Sequence, residues 1–246
     1  MSPASSPPSA RKGLRHDKTR RHHPGARRLQ TLPRKNILPV MGKPMIAWPI
    51  EAALQSGVFE TVIVSTEDDE IADIAKAHGA AVVKRPDDLA SDTAMEIDVY
   101  AQVLASLPAA PQSFCAIYAT AILLQPDDFQ KSFAAFNAQP EADAMMSVSE
   151  FPTHPFKALS ENSAGFLEMV HPKECLQRSQ TYPRYTASNG TFYWLRTAAY
   201  NKQKTYYQPH LLPYILPASR AVDIDTLEDL KMAEAMLRIN QERGAA

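Results

Sequence analysis

Near the C-terminal end, the run Asp223-Ile224-Asp225 places two carboxylates two residues apart. On an extended backbone that spacing turns both acids to one face and the isoleucine to the other. Two like charges so close repel unless a cation lies between them. Hard carboxylate oxygens suit Mg²⁺, which commonly joins one or two carboxylates to substrate phosphates. The competing reading is that Asp225 or Thr226 caps the last helix. Near the other end, Pro33-Arg34-Lys35-Asn36 precedes Gly42-Lys43-Pro44. Lys35 is suited to act as a point charge on a phosphate and Asn36 to donate hydrogen bonds; otherwise this is a solvated basic loop. Arg85-Pro86, followed by Ala90-Ser91-Asp92-Thr93, lies after a strand, where α/β sheets bind ligands; Asp92 or Thr93 also suits a helix N-cap. In Arg178-Ser179-Gln180 the guanidinium can grip a carboxylate with two parallel hydrogen bonds. Asn189-Gly190 reads first as a hairpin turn. His78, His154, His171 and His210 are scattered and read as surface or turn residues.

Composition limits what these residues can serve. The 246 residues are 45% apolar and 22% charged, enough for one α/β domain with a buried core. No apolar run is long enough to span a membrane. Two cysteines, Cys115 and Cys175, exclude a disulfide scaffold and a cysteine-based zinc site and fit a reducing compartment. There is no G-x-G-x-x-G, no P-loop and no G-x-S-x-G. The net charge of −1 conceals a division: 26 bases and 27 acids separate into a head, residues 1–31, of +7 and a body of −8. The head is rich in Pro, Ser and Arg, lacks periodicity and reads as disordered. A nucleic-acid or membrane-surface tail and a transit peptide are both open readings of it.

The elements that must position the polar groups follow from periodicity. Helices are expected over 46–55, ending at Gly57, over 67–78 with Gly79 as the stop, from Asp92 or Thr93 to about 107, over 127–136, and over 227–241 with Leu227, Leu230, Ala233 and Leu237 on one side. Strands are expected over 61–66, 81–83, 114–118, 144–148, 191–195 and 213–216. This alternation predicts βαβ units: a doubly wound, mostly parallel sheet with helices on both faces. Residues 151–188 break the rhythm and read as a small β insertion, with short strands over 156–159 and 166–169. The domain is expected to span 32–246.

Several stretches resemble the acylneuraminate (nonulosonic acid) cytidylyltransferases. They are LPRKNILPVMGKPMIAWPIEAALQSGVFETVIVSTEDDEIADIAKAHGA, the LASDT segment, YATA at 118–121, the RSQ at 178–180, NG followed by FYW, and VDIDTLEDLKMAE. The resemblance implies a nucleotidyltransferase fold, a homodimer and a cytoplasmic enzyme with neither nucleic acid nor membrane as partner. It implies transfer of CMP from CTP to the anomeric hydroxyl of a nine-carbon 2-keto sugar acid, with release of pyrophosphate, for surface glycan or flagellin glycosylation. Asp223 and Asp225 would then hold Mg²⁺ or another divalent cation. Lys35 and Asn36 would face the triphosphate and Arg85 the nucleotide. Arg178, Gln180 and Asn189 would face the sugar, with Tyr118 and Thr120 on the strand end between. YATA and Phe192-Tyr193-Trp194 resemble the pseudaminic acid branch, whereas Asn189-Gly190 and LASDT resemble the sialic and legionaminic branches. Octulosonic acid cytidylyltransferases match less well around 85–93.

One departure concerns the head. Members of the family place an apolar strand and a motif close to I-I-P-A-R-G-G-S-K-R before L-P-R-K-N. Here residues 22–31 read HHPGARRLQT. Read one base later, the codons for these residues permit the family residues in order, and the frame is regained at Leu32. The head is therefore expected to be an out-of-frame translation of the first strand and phosphate loop. A chain lacking that loop would be a catalytically dead remnant, and activity of the chain as written is in question.

Overall fold

The computed structural model describes residues 32–90 and 95–244. The basic head and the Asp92 or Thr93 cap lie outside the described residues. Two short strands, β1 (Pro39–Val40) and β2 (Lys43–Pro44), pair antiparallel and lead into helix α1 (Ala47–Ser56). The chain continues as β3 (Ile63–Thr66), α2 (Asp69–Ala77), β4 (Ala81–Lys84), α3 (Glu96–Ser106), β5 (Ser113–Ile117), α4 (Pro126–Asn137) and β6 (Ala144–Glu150). The insertion holds β7 (Leu159–Glu161), β8 (Leu167–Met169) and α5 (Pro172–Cys175). Then come β9 (Thr186–Arg196), α6 (Thr197–Gln203), β10 (Leu211–Ile215) and α7 (Leu227–Gly244).

Helix ends follow their sequence signals. Gly57 closes α1 at φ 66°, a left-handed conformation that glycine adopts without a Cβ penalty. The Asp68 carboxylate accepts from Glu70 N (2.8 Å) and Ile71 N (3.2 Å) at the start of α2. The described part of α3 begins at Glu96, after Met95.

The main sheet has the order β10-β6-β9-β5, and β3-β4 forms a separate parallel pair. β10 runs parallel to β6, but β9 is antiparallel to both β6 and β5. Among the described residues the sheet is thus mixed, where a mostly parallel one was expected. Between β6 and β9 the chain returns through the insertion with no helical crossover, and only a crossover would have kept β9 parallel. Along β9 the side chains alternate between faces. Phe192 and Trp194 pack with Phe129, Phe136 and Met145 under α1 and α4. Tyr193 and Leu195 pack with Ile97 and Tyr200 under α3 and α6. α7 covers a third cluster through Leu230, Ala233 and Leu237, together with Val40, Ile122 and Ile224. Leu227, expected on that apolar side, is exposed.

Two local expectations are corrected in and beside the insertion. The 156–159 segment begins as a 3₁₀ turn, Pro155–Lys157, and its strand is Leu159–Glu161. Asn189-Gly190 is no hairpin turn but lies inside the 11-residue β9, where Gly190 takes φ 63° beside a register shift against Met146 and Val148. A glycine at positive φ within a ladder is a bulge device that re-aims the neighbouring side chains.

Candidate active site

Lys35 stands in a 3₁₀ turn, Lys35–Ile37, that follows Arg34, which sits at φ 51°. The Arg34 guanidinium holds this turn against α2 through Asp68 (3.0 Å) and Glu70 (2.7 Å). From the turn, Lys35 Nζ reaches across the chain to donate to Asp225 Oδ1 (2.9 Å) and to the Ile224 carbonyl (3.2 Å). Leu32 N donates to the Asp225 carbonyl (3.3 Å), so the first described residue is tied to the segment that precedes α7.

The helix-cap reading of the aspartates is resolved by the hydrogen bonds around Thr226. Asp229 Oδ2 accepts from Thr226 N (2.8 Å) and Thr226 Oγ1 (2.7 Å), and Asp229 N donates back to Thr226 Oγ1 (3.2 Å). Thr226, one of the two expected cap residues, thus starts α7 in a reciprocal cap with Asp229, and these bonds hold the Asp229 carboxyl below its ordinary range. Asp225 is therefore released from capping and turns its carboxylate to Lys35. Ile224 is fully buried, as an apolar residue between two acids on an extended segment should be. Burial, then the nearby Asp225 charge, raises the Asp223 carboxyl above its ordinary range, while Lys35 pulls the other way.

One cleft of about 1410 Å³ is lined by Lys35, Asn36, Arg85, Thr120, Asp223 and Asp225. Tyr118 borders both this cleft and a smaller pocket of about 360 Å³, which Asn189 and Asp223 also line. Eight of the ten expected site residues thus meet around one opening at the end of β5. Arg178 and Gln180 do not: both are exposed on the insertion, at a 3₁₀ turn Ser179–Thr181, and line neither space.

Some of the gathered side chains already have work within the fold. Arg85 Nη2 donates to the Ser65 carbonyl (2.5 Å), with Glu67 3.7 Å from its Nη1, so it fastens the end of β4 to the end of β3. Asn189 Oδ1 lies 2.8 Å from Ser147 Oγ and 2.9 Å from Thr191 Oγ1, and its Nδ2 donates to Ser149 Oγ (3.1 Å). That network holds the bulge in shape. The Tyr118 hydroxyl donates to Glu96. Burial, then this hydrogen bond, pushes the phenol above its ordinary range, which keeps it a neutral donor.

Three contributors escaped the sequence reading. Glu96, at the start of α3, lines the cleft. Arg220 forms a two-pronged ion pair with the buried Asp128 (2.6 and 2.8 Å) and so anchors the segment that enters Asp223. Asp229 caps α7. Only Asp229 had a sequence signal: Thr226 and Asp229 stand three apart before an apolar helix.

Two carboxylates are a small donor set, and among the described residues no group of three or more His, Cys, Asp or Glu is placed to hold a metal ion. The pair suits a hard divalent cation whose remaining ligands are phosphate oxygens and water rather than protein.

Two solved structures share the fold. A CMP:2-keto-3-deoxy-manno-octonic acid synthetase complexed with CTP superposes with a TM-score of 0.63 at 16% identity, over 86% of this chain and 95% of its own. A 4-diphosphocytidyl-2C-methyl-D-erythritol synthase from Anaerococcus prevotii gives 0.56 at 12% identity, over 83% and 93%. The chain therefore shares the α/β fold of these two structures. Residues 30–243 match the Cytidylyltransferase family model, and the chain belongs to that family. Among its relatives are a pseudaminic acid cytidylyltransferase of Campylobacter jejuni, 32% identical over 86% of this chain and 92% of the relative. A CMP-N,N'-diacetyllegionaminic acid synthase of Legionella pneumophila is 33% identical over the same shares. An N-acylneuraminate cytidylyltransferase of Streptococcus agalactiae is 28% identical over 80% of this chain and 48% of the relative.

Proposed function

We propose that this chain is built to transfer CMP from CTP to the anomeric hydroxyl of a nonulosonic acid, with pseudaminic acid favoured over sialic and legionaminic acids. The sugar oxygen forms a bond to the α-phosphorus, the bond from that phosphorus to the β-phosphate bridging oxygen breaks, and pyrophosphate and the hydroxyl proton leave. The observation that carries this reading is the meeting of Lys35 with Asp223 and Asp225 at the end of β5. Lys35 neutralises triphosphate charge, Asn36 donates hydrogen bonds to it, and Arg85 and Thr120 border the nucleotide. Tyr118 and Asn189 border the sugar from the smaller pocket. Asp223 and Asp225 are the residues that would hold Mg²⁺. When bound, the ion supplies positive charge to the phosphoryl oxygens and to the leaving pyrophosphate.

Arg178 is assigned to the sugar carboxylate and Gln180 to the sugar, from an insertion that lies outside both spaces in this structure. That insertion also supports a homodimer: it exposes Leu159, Phe166, Leu167, Val170 and Leu176, apolar side chains that a second copy could cover. Among the described residues no helix is long and apolar enough to cross a membrane, and a cytoplasmic setting supplies the CTP.

The test is pyrophosphate release from CTP and Mg²⁺ with each of the three sugar acids. Turnover with at least one of them, and none with an octulosonic acid, supports the reading. Turnover with the octulosonic acid alone overturns it. A second reading, a remnant that binds without turning over, is favoured by one observation: no residue lining the larger cleft is a glycine, so the described chain offers no glycine-rich loop to approach the phosphates closely. Binding of CTP without pyrophosphate release would select this second reading.

A further inference from the structure

Glu96 is an odd charge for its place. It lines the larger cleft, assigned above to a triphosphate, yet it is an acid. Among the described residues it forms no salt bridge; its hydrogen bond is the one it accepts from the Tyr118 hydroxyl. A carboxylate only accepts, and a phenol carries a single proton. The bond therefore commits the Tyr118 proton and leaves the phenol oxygen with its lone pair. Burial, and then this bond, oppose ionisation of the phenol, so the proton stays between the two groups. The Tyr118 ring is held edge-on to Tyr193, with centroids 5.9 Å apart at 70°, and the Tyr193 hydroxyl is bonded to Ser188 Oγ (2.7 Å). Tyr118 lines the smaller pocket and Glu96 does not. The polarity of a pocket residue is thus set from outside the pocket.

Asn189, in the same pocket, is fixed with the opposite polarity. Ser149 Oγ donates to the Leu216 carbonyl (2.9 Å), so it can only accept from Asn189 Nδ2 (3.1 Å). That sets the orientation of the amide. Its oxygen faces the Ser147 and Thr191 hydroxyls (2.8 and 2.9 Å), and what these bonds leave unused is its second N–H. We propose that Glu96 is a specificity-determining positioning residue. By holding the Tyr118 proton it makes Tyr118 an acceptor, so that the smaller pocket selects a sugar acid presenting an N–H or O–H donor to Tyr118 and an oxygen to Asn189. This rests on the reading of that pocket as the sugar's. Without Glu96 the Tyr118 hydroxyl is free to turn its proton to a ligand oxygen, and the selection for a donor is lost. A bond that merely pinned α3 to the end of β5 would have no such consequence.

The test is binding rather than turnover. Pseudaminic, sialic and legionaminic acids are titrated calorimetrically into the full chain, and the tightest of them into four variants: Glu96→Gln, Glu96→Leu, Tyr118→Phe and the double Glu96→Leu with Tyr118→Phe. Glu96→Gln keeps an acceptor oxygen for Tyr118 and is expected to bind within about threefold of the unmodified chain. Glu96→Leu and Tyr118→Phe are each expected to weaken the sugar acid about tenfold, the worth of one hydrogen bond, without weakening CTP. The double variant is expected to bind no more weakly than Tyr118→Phe, because Glu96 acts through Tyr118. The acyloxy form of the same acid, with oxygen in place of each amide N–H, identifies the donor. A preference for the amide that vanishes in Tyr118→Phe assigns it to N–H; equal affinity for both forms, with the same tenfold losses, assigns it to a hydroxyl. Sugar affinity unchanged in Tyr118→Phe, Glu96→Gln as weak as Glu96→Leu, or additive losses in the double variant would overturn the proposal and leave the sugar pocket standing. Failure of the unmodified chain to bind any of the three acids would overturn the sugar reading of the pocket, and the role of Glu96 with it.

Discussion

Arg220 and Asp128 form a two-pronged ion pair across 92 residues of chain, and the carboxylate is only 1% exposed. Asp128 belongs to the first turn of α4, where it also accepts from Gln125 N at 2.9 Å. Arg220 stands three residues before Asp223. The pair therefore couples the start of a core helix to the segment that delivers the acidic pair.

Arg220→Met leaves a buried carboxylate without its counter-charge. A loss of about 3 kcal/mol is expected by urea denaturation, as for other broken buried pairs. Arg220→Met combined with Asp128→Leu is expected to recover at least half of that loss, because the unpaired charge is gone. A double variant no more stable than Arg220→Met would show that the arginine acts by packing.

The acidic pair is expected to separate function from stability. Asp223→Asn removes a carboxylate whose ionisation is opposed by burial and by Asp225, so stability holds or rises while Mg²⁺-dependent turnover in a competent form of the enzyme is lost. Asp225→Asn also abolishes turnover, but it gives up the exposed Lys35 ion pair, at a cost of about 0–1 kcal/mol. Near-normal rates in both variants would remove the metal assignment.

Arg178→Lys keeps the charge and loses the planar fork. The expected result is a KM for the sugar acid raised about tenfold, with the KM for CTP unchanged. An equal change for both substrates, or none, would make Arg178 a structural residue of the insertion.

Acid sensitivity is expected where α1 meets α2. Burial pushes the Glu51 carboxyl up, but hydrogen bonds from Lys43 and His78 outweigh it and hold the group below its ordinary value of 4.5. A carboxylate depressed in the folded state contributes stability that is fully present above pH 4.5 and lost as pH falls through the folded value. Glu51→Gln should therefore lower the thermal midpoint at pH 7 and narrow the difference between pH 7 and pH 4. An unchanged difference would place the acid sensitivity elsewhere.

How much was readable in advance divides along physical lines. α1 and α2 were legible because the period ends at a glycine, and α2 and α4 because acids stand in their first turn. The spacing of Asp223 and Asp225 placed them correctly, since burial of Ile224 forces the acids outward. The direction of β9 was not legible, because it depends on how residues 151–185 return the chain. Asn189-Gly190 misled because the same glycine geometry serves a turn and a bulge, and only the 11-residue pairing distinguishes them. Arg220 and Asp128 left no local trace. The two arginine and glutamine positions of the insertion were chosen by resemblance, and the fold sets them outside the cleft.

Lys35 and Asp225 are 190 residues apart in the chain. A ribosome adding about 5–20 residues per second completes that interval in about 10–40 s. Until then the lysine has no carboxylate, and α7 has not formed to cover Val40 and Ile122. A nascent chain therefore cannot close this cleft early. Any message that ends before codon 225, through truncation or stalling, yields a product with one half of an ion pair and an uncovered apolar face, a substrate for chaperones and proteases rather than a slow enzyme.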